Sequence, residues 1–336
     1  EGDTANDVGA KIGALSASNP ATGSGIASWG TLTDAGANWT VNAWRNKWIE
    51  ITSGTGVGQV RLIHSNTATV VTTTGRWDTV PDSTSDFKIF DVTARVTGSD
   101  SGADTTPVRA NGFLVQSGQK GVFIKRLLVN YTVDANIKAD TNGGVTVDSC
   151  HSRNSVWMLW ATAGAQFSAL RVASTNVQVA SGGFHCLIEG GAFAPEIMGS
   201  RFTGDDAAVC VLVRSGSACT GLYWCYGSSA STAILKVSEN GSVIITGSMD
   251  MNGKNNADDT KVTTDVLFCN TGGAVDVSDV SGTTNGSKVY NSGGWGVRGT
   301  QGGVCALASL FTFGTAGEAN VSGDRSPAAA LGGGTT

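Results

Sequence analysis

Few residues in this chain are suited to chemistry. Gly204-Asp205-Asp206-Ala sets two carboxylates side by side, and Glu189 and Glu196 flank a loop rich in glycine that contains Pro195. Paired carboxylates a few ångströms apart act as acid and base, or as acid and nucleophile, in glycoside cleavage. The same residues also make polar turns, and spacing along a chain sets no distance between side chains. Asp205, Asp206 and Glu189 are therefore the catalytic candidates, weighed against a reading as solvated turns.

Aromatic side chains form the second group. Val156-Trp-Met-Leu-Trp and Leu222-Tyr-Trp-Cys-Tyr place Trp157, Trp160, Tyr223, Trp224 and Tyr226 where they could stack on a sugar or fill a contact between subunits. In a regular strand Trp157 and Trp160 point to opposite faces, and Trp224 points away from Tyr223 and Cys225. Trp157, Trp160 and Trp224 are expected to serve in glycan binding or between subunits, with subunit packing the weightier reading. The three histidines are His64, His151 and His185. Cys150-His151 and His185-Cys186 look like metal pairs, but adjacent strand residues face opposite ways. No metal or other cofactor is expected. There is no C-x-x-C, G-x-S-x-G, Walker loop, H-E-x-x-H or dinucleotide fingerprint.

The scaffold that must hold these residues is legible in composition. The chain has 336 residues with 47 Gly, 5 Pro and only 15% charged residues, against about a quarter in an average protein. Gly, Ser, Thr and Val make poor helices but good short strands and tight turns. A formal charge of −5 and the absence of a dense Lys/Arg run argue against nucleic-acid binding. No apolar run approaches the roughly 20 residues of a membrane span. The seven cysteines, an odd count, sit mostly in apolar runs such as Val209-Cys-Val-Leu-Val and read as buried thiols assembled in a reducing cytosol. The chain opens on Glu1 and not Met, which fits either removal of a leader or a start at a later residue.

Taken in order, residues 1–20 read as an arm, with a turn or two of weak helix as an alternative. Residues 21–91 read as a small antiparallel β-module for attachment or assembly. Its strand runs are Trp44–Thr52, Gly58–His64, Thr69–Thr73 and Asp86–Asp91, and five of the nine Trp fall within it. The run Asn42-Ala-Trp-Arg-Asn-Lys-Trp-Ile-Glu-Ile-Thr-Ser-Gly-Thr-Gly-Val-Gly-Gln-Val-Arg-Leu-Ile-His and the later Trp77-Asp-Thr-Val-Pro-Asp-Ser-Thr-Ser-Asp-Phe-Lys-Ile resemble a structural module of bacteriophage virion proteins. The resemblance covers about fifty residues. It implies a tail fibre, tailspike or other appendage, and no activity. Residues 92–107 read as a linker ending at Pro107.

From Val108 a repeat begins. Ile124-Lys-Arg-Leu-Leu-Val-Asn, Val147-Asp-Ser-Cys-His-Ser-Arg and Leu170-Arg-Val-Ala-Ser-Thr-Asn follow one another at 23 residues. Phrases opening at Ile197, Leu222 and Ile244 continue at steps of 27, 25 and 22. A period in this range with two or three short alternating runs per unit fits a parallel β-helix, and neither a helical array nor a propeller. The fold class is therefore all-β, a small antiparallel domain followed by a right-handed parallel β-helix over 108–252, with terminal coils, cap and tail over 253–336. Ile124, Val147 and Leu170 are expected to form one inward ladder, with Asn130, Arg153 and Asn176 at the corresponding turn. The wording from Val289-Tyr-Asn-Ser-Gly-Gly-Trp-Gly-Val-Arg also resembles the C-terminal part of phage tail β-helices.

What the resemblance implies is a structural virion protein, assembled in the host cytoplasm and a homotrimer. It would hold other virion proteins through its N-terminal region and contact host polysaccharide through its exposed face. The tail after Ser326 is expected to need a neighbouring chain to order it. The alternatives are a polysaccharide depolymerase and a secreted adhesin, the latter opposed by the free cysteines. Gly204-Asp-Asp resembles the Gly-Asp-Asp of polygalacturonase-type hydrolases, but the Gly-His-Gly and Arg-Ile-Lys of that family are missing, and no His follows His185.

Overall fold

In the computed structural model, residues 5–11, 13–19, 29–92, 94–97, 110–116, 118–175, 183–203, 208–228, 230–247, 249–252, 265–277, 288–290, 295–307, 312–313 and 321–323 are described. Every regular element among them is a strand. Seven strands form an antiparallel sheet: β1 (Ala5–Ala10), β2 (Leu15–Ser18), β3 (Thr31–Asp34), β4 (Trp48–Ser53), β5 (Val60–Asn66), β6 (Val70–Thr73) and β7 (Asp86–Val92), in the order β1-β7-β4-β5-β6-β3-β2. The segment expected as an arm thus supplies both edge strands, β1 pairing with β7 and β2 with β3. Apolar alternation on β4, β5 and β7 buries Ile49, Ile51, Ile63, Phe87 and Ile89 with Trp77 on one face. Trp48, Leu62 and Phe90 lie on the other.

The described strands that follow form a solenoid. β8 (Arg95–Thr97), inside the stretch expected as a linker, already pairs in parallel with Leu128–Asn130. β9 (Asn111–Val115) pairs with Ala135–Ala139. The first complete coil is β10 (Val122–Lys125), β11 (Leu128–Asn130) and β12 (Ala135–Ala139), and each belongs to a different sheet. Those three parallel sheets hold eight, nine and nine strands, called here the first, second and third. Coils continue past residue 252 through Asp265–Cys269, Ala274–Val277, Trp295–Gly299 and Val304–Leu307 to Val321–Gly323.

The corners explain why the period drifts. Between third and first sheets the chain crosses first in six residues, 116–121, and thereafter in four, at 140–143, 162–165, 189–192, 214–217, 238–241, 270–273 and 300–303. The two central residues, such as Thr141 and Asn142 or Glu239 and Asn240, both have positive φ, the signature of a type I′ turn. The fourth position is Gly, Ala or Ser because it lies against the preceding coil. A Cβ on Gly143 would come within 2.5 Å of the Val115 carbonyl oxygen. Length varies instead between second and third sheets, where residues 131–134 join one coil and 253–264 another.

One expected register is corrected. Val147 pairs with Ala169, and Leu170 pairs with Asp148. The inward ladder runs Ile124, Val147, Ala169, Ile197, Leu222, Ile245, all buried. A shift of one residue exchanges faces, so Leu170 and Ile244 point outward although their wording matches the repeat. Asn130 and Arg153 lie within strands and pair with each other across coils. Asn176 is outside the described residues. Six of the seven cysteines are buried. Several donate to carbonyls of the preceding coil, Cys150 Sγ to Ile124 O and Cys225 Sγ to Ile197 O at 3.5 Å each.

The seven-stranded sheet is fastened along the outer face of the second sheet. Trp48, Leu62, Phe90 and Val92 pack on Leu128 and Ala173. The Trp48 indole N–H donates to the Arg171 carbonyl at 2.9 Å, and the Thr74 hydroxyl to the Gly199 carbonyl at 2.8 Å. Arg126 pairs with Glu50 at 3.1 Å.

The corrected register makes a measurable contrast. Ile197→Ala should lower stability by about 2–5 kcal/mol, as core truncations do. Leu170→Ala should cost less than about 1 kcal/mol. Denaturant midpoints of the two variants check this, and equal losses would restore the 23-residue register.

Candidate functional site

The outer face of the third sheet gathers the aromatic residues. Counting pairs coil by coil, its outward ladder is Leu114, Lys138, Trp160, Leu187, Leu212, Lys236, Phe268, Arg298. A second column starts each strand with Ala135, Trp157, Phe184, Val209, Ala233. Leu187, Val209, Leu212 and Ala233 are buried beneath Trp157, Trp160, Phe184, Ala208 and Phe268, forming an apolar cluster separate from the solenoid interior. Trp157 and Trp160 therefore share one face, contrary to strict alternation, with ring centroids 4.4 Å apart. The reason is a corner position: Met158 and Leu159 both turn inward and join the interior.

Trp160 is held from three sides. Lys138 Nζ lies 3.5 Å from its ring centroid, a cation–π contact. Its indole N–H donates to Glu189 Oε1 at 3.0 Å, and Arg214 clasps Glu189 Oε2 through Nε at 2.7 Å and Nη2 at 2.6 Å. Glu189 is thus a clamped ionic acceptor, a poor arrangement for a group that must deliver a proton. Glu196 accepts from the Tyr223 hydroxyl and has no partner in common with Glu189. Burial first, then the Glu196 carboxylate, pushes the Tyr223 hydroxyl above its usual range. Asp205 and Asp206 lie outside the described residues.

Trp224 sits elsewhere. It is the positive-φ corner residue between first and second sheets. There it packs on Gly75 of the antiparallel sheet, where a Cβ would stand 3.1 Å from its ring. With Arg61, Thr74, Asp78, Arg171, Met198 and Gly199 it lines a cavity of about 60 Å³ between the two parts of the chain.

The histidines are also separated. His185 is enclosed in the interior, its Nδ1 2.8 Å from the Ser174 hydroxyl. Cys186 also points inward, so His185 and Cys186 share a side where alternation put them on opposite ones. The cause is the same corner position that turns Met158. His151 faces outward on the second sheet, 2.9 Å from the Thr175 hydroxyl, while Cys150 is interior. Among the described residues no three His, Cys, Asp or Glu side chains converge as metal ligands.

Sequence reasoning missed Lys138, Arg214, Leu187, Leu212 and Phe268. The signal that finds most of them is the four-residue corner. Counting back from each corner aligns the third-sheet strands at steps of 22, 27, 25, 24 and 32 from Lys138 to Phe268.

No protein-family model matches the chain, and no curated protein sequence matches it. Among solved structures it is similar to the tailspike protein gp49 from Pseudomonas phage LKA1, at 10% identity and a TM-score of 0.26. The match covers 95% of this chain and 60% of that one, so the chain spans less than two thirds of the tailspike's length.

The histidines make stability depend on pH. Burial holds His64 well below the ordinary 6.5, His151 at about 4 and His185 at about 3. Between those values and 6.5 the unfolded chain binds more protons than the folded chain, so stability falls as pH drops below about 6.5. The slope should reach about 1.4 kcal/mol per pH unit for His185, and less for half-buried His151. From pH 7 to 8 these groups contribute no change. Denaturant midpoints at pH 7, 6 and 5 test this. A flat profile, or one that His185→Asn leaves equally steep, contradicts it.

Proposed function

We propose that the chain is a structural component of a phage particle, a β-helical shaft of the tailspike or tail-fibre type that works as a homotrimer. The observation that carries the reading is the outward apolar column of the third sheet. A shaft needs its inward ladders, but it does not need Trp157, Trp160, Phe184 and Phe268 on its outside. Contiguous apolar surface rimmed by charge, here Lys138, Lys236, Arg298, Glu189 and Arg214, marks an interaction face. A threefold assembly would bring three such columns to a common axis. The resemblance of residues 42–64 and 77–89 to virion modules supports the same reading.

In this assembly the antiparallel sheet, on the second-sheet flank, is free to meet other virion proteins. The first sheet is left for contact with the host. Its outward positions include small or polar Thr146 and Ser168 beside Leu170 and Ile244, with exposed Phe123 and Phe193. A face of this kind suits a host surface glycan, which is met by hydroxyls and isolated aromatic rings. The clamping of Glu189 favours binding without cleavage.

Native mass measurement should give three times the 34.2 kDa chain mass. Trp160→Ala with Phe268→Ala should shift it to the single chain while β circular dichroism is kept. A monomer for the unaltered protein sinks the trimer. Host polysaccharide incubated with the protein should keep its length, and Asp205→Asn with Asp206→Asn should leave adsorption unchanged. Shortened polysaccharide would turn the reading to a depolymerase.

A further inference from the structure

Where the antiparallel sheet meets the second sheet, cationic side chains gather: Arg45 and Arg201 both act on His64, and Arg153 and Arg201 both act on His151. Arg201 is almost fully buried on the outward ladder that runs His151, Ala173, Arg201, Tyr226. Its guanidinium lies 5.3 Å from the Tyr226 ring centroid and donates to Asn46 Oδ1 at 2.6 Å. The antiparallel sheet brings Arg45, next to Asn46, and His64, whose ring stands 3.8 Å from Trp29 and 4.7 Å from Tyr226. From the second sheet comes Arg153, beside His151 in the same strand and paired in register with Asn130.

These groups have unmet hydrogen-bonding capacity. The Nε atoms of Arg45, Arg153 and Arg201, Nδ1 of His64 and both amide atoms of Asn130 are buried without a partner. None of the three guanidinium groups forms an ion pair with a carboxylate among the described residues. Asp250 is on the same ladder as Arg201, but Tyr226 stands between them. Buried charges are ordinarily paired, because an uncompensated one costs several kcal/mol. Buried polar atoms left unpaired in a folded protein call for a water or an ion. Arg45 and Arg153 are only half buried, so the cluster has a buried base and a rim that solvent reaches.

We propose that Arg45, Arg153 and Arg201, with Asn130 and His64, form a binding site for an oxyanion at the junction of the antiparallel sheet and the solenoid. Guanidinium groups present planar paired donors that match phosphate, sulfate and carboxylate oxygens, and such charge-assisted bonds are short and strong. Bound there, the anion ties the two parts of the chain together, because Arg45 comes from one and Arg153 and Arg201 from the other. The chemistry is met equally by free phosphate or sulfate and by the acidic group of a sugar.

The test uses the full chain, titrated by calorimetry and by thermal melting with sodium phosphate, sodium sulfate and sodium glucuronate, each against sodium chloride at equal ionic strength. Phosphate or sulfate should raise the melting midpoint above the chloride control, by mass action on the folded state. Arg45→Gln with Arg153→Gln, at the half-buried rim, should fold and bind at least about tenfold more weakly. Arg201→Lys, which keeps charge and loses the fork, should also weaken binding. A response to glucuronate exceeding phosphate assigns the site to an acidic sugar, and the reverse to the free ion. Equal melting in all salts for the unaltered chain overturns the site, as does a rim variant that responds to the anions like the parent.

Discussion

The parallel hydrogen-bonded register between successive coils is the constraint on which this structure rests. One coil of three short strands cannot bury an interior or satisfy its own backbone. Each is completed by the coil before and the coil after, and the ladder runs on through the corners. Asp140, Thr162, Glu189 and Arg214 donate from their backbone N–H to the carbonyls of Val115, Ala139, Ala161 and Ile188. The tight four-residue corner keeps this register, so from residue 140 on chain length is added at the other two corners, most often between second and third sheets and once, at 278–287, between first and second. Insertions there leave both the inward ladders and the outward columns in place.

Three sheets give three outer faces, and the chain treats each differently. The second is covered by its own antiparallel sheet, through Trp48, Thr74 and the Arg126–Glu50 pair. The third carries apolar side chains whose centre is already dry. The first mixes small and polar positions such as Thr146 and Ser168 with outward Leu170, Ile244, Phe123 and Phe193. A residue's role thus depends on which face its column occupies more than on its type. Trp160 and Trp224 illustrate this, the first in the outward apolar column of the third sheet and the second a buttress against Gly75. Glu189 illustrates it too: its carboxylate is taken by Trp160 and Arg214, while Glu196 takes the Tyr223 hydroxyl.

Much of the fold was legible because strands and turns have local causes. Alternation at Trp48–Ser53 and Asp86–Val92 marked the antiparallel sheet, and phrases near 23 residues apart marked coils. Errors came where one residue changes a face. Leu170 matched the repeat in wording, yet Ala169 takes the inward place, because register obeys the backbone ladder and an inward Ala is tolerated when Ile197 fills the next coil. Trp157 and Trp160, and likewise His185 and Cys186, broke strict alternation at a corner that no run of residue types announced.

The sequence by itself determined that the chain is all-β, that its larger part is a stacked solenoid, and that most of its cysteines are interior. Periodicity and composition act through neighbours along the chain, so one sequence suffices to read them. Only the tertiary structure decided that the antiparallel sheet lies on the flank of the coils, that Glu189 is clamped beside Trp160, and that Arg45 and Arg201 both act on His64. Those residues are brought together from positions up to 156 apart. Such proximity depends on the summed lengths of every intervening corner and on which face each column presents, and neither is written in any local stretch.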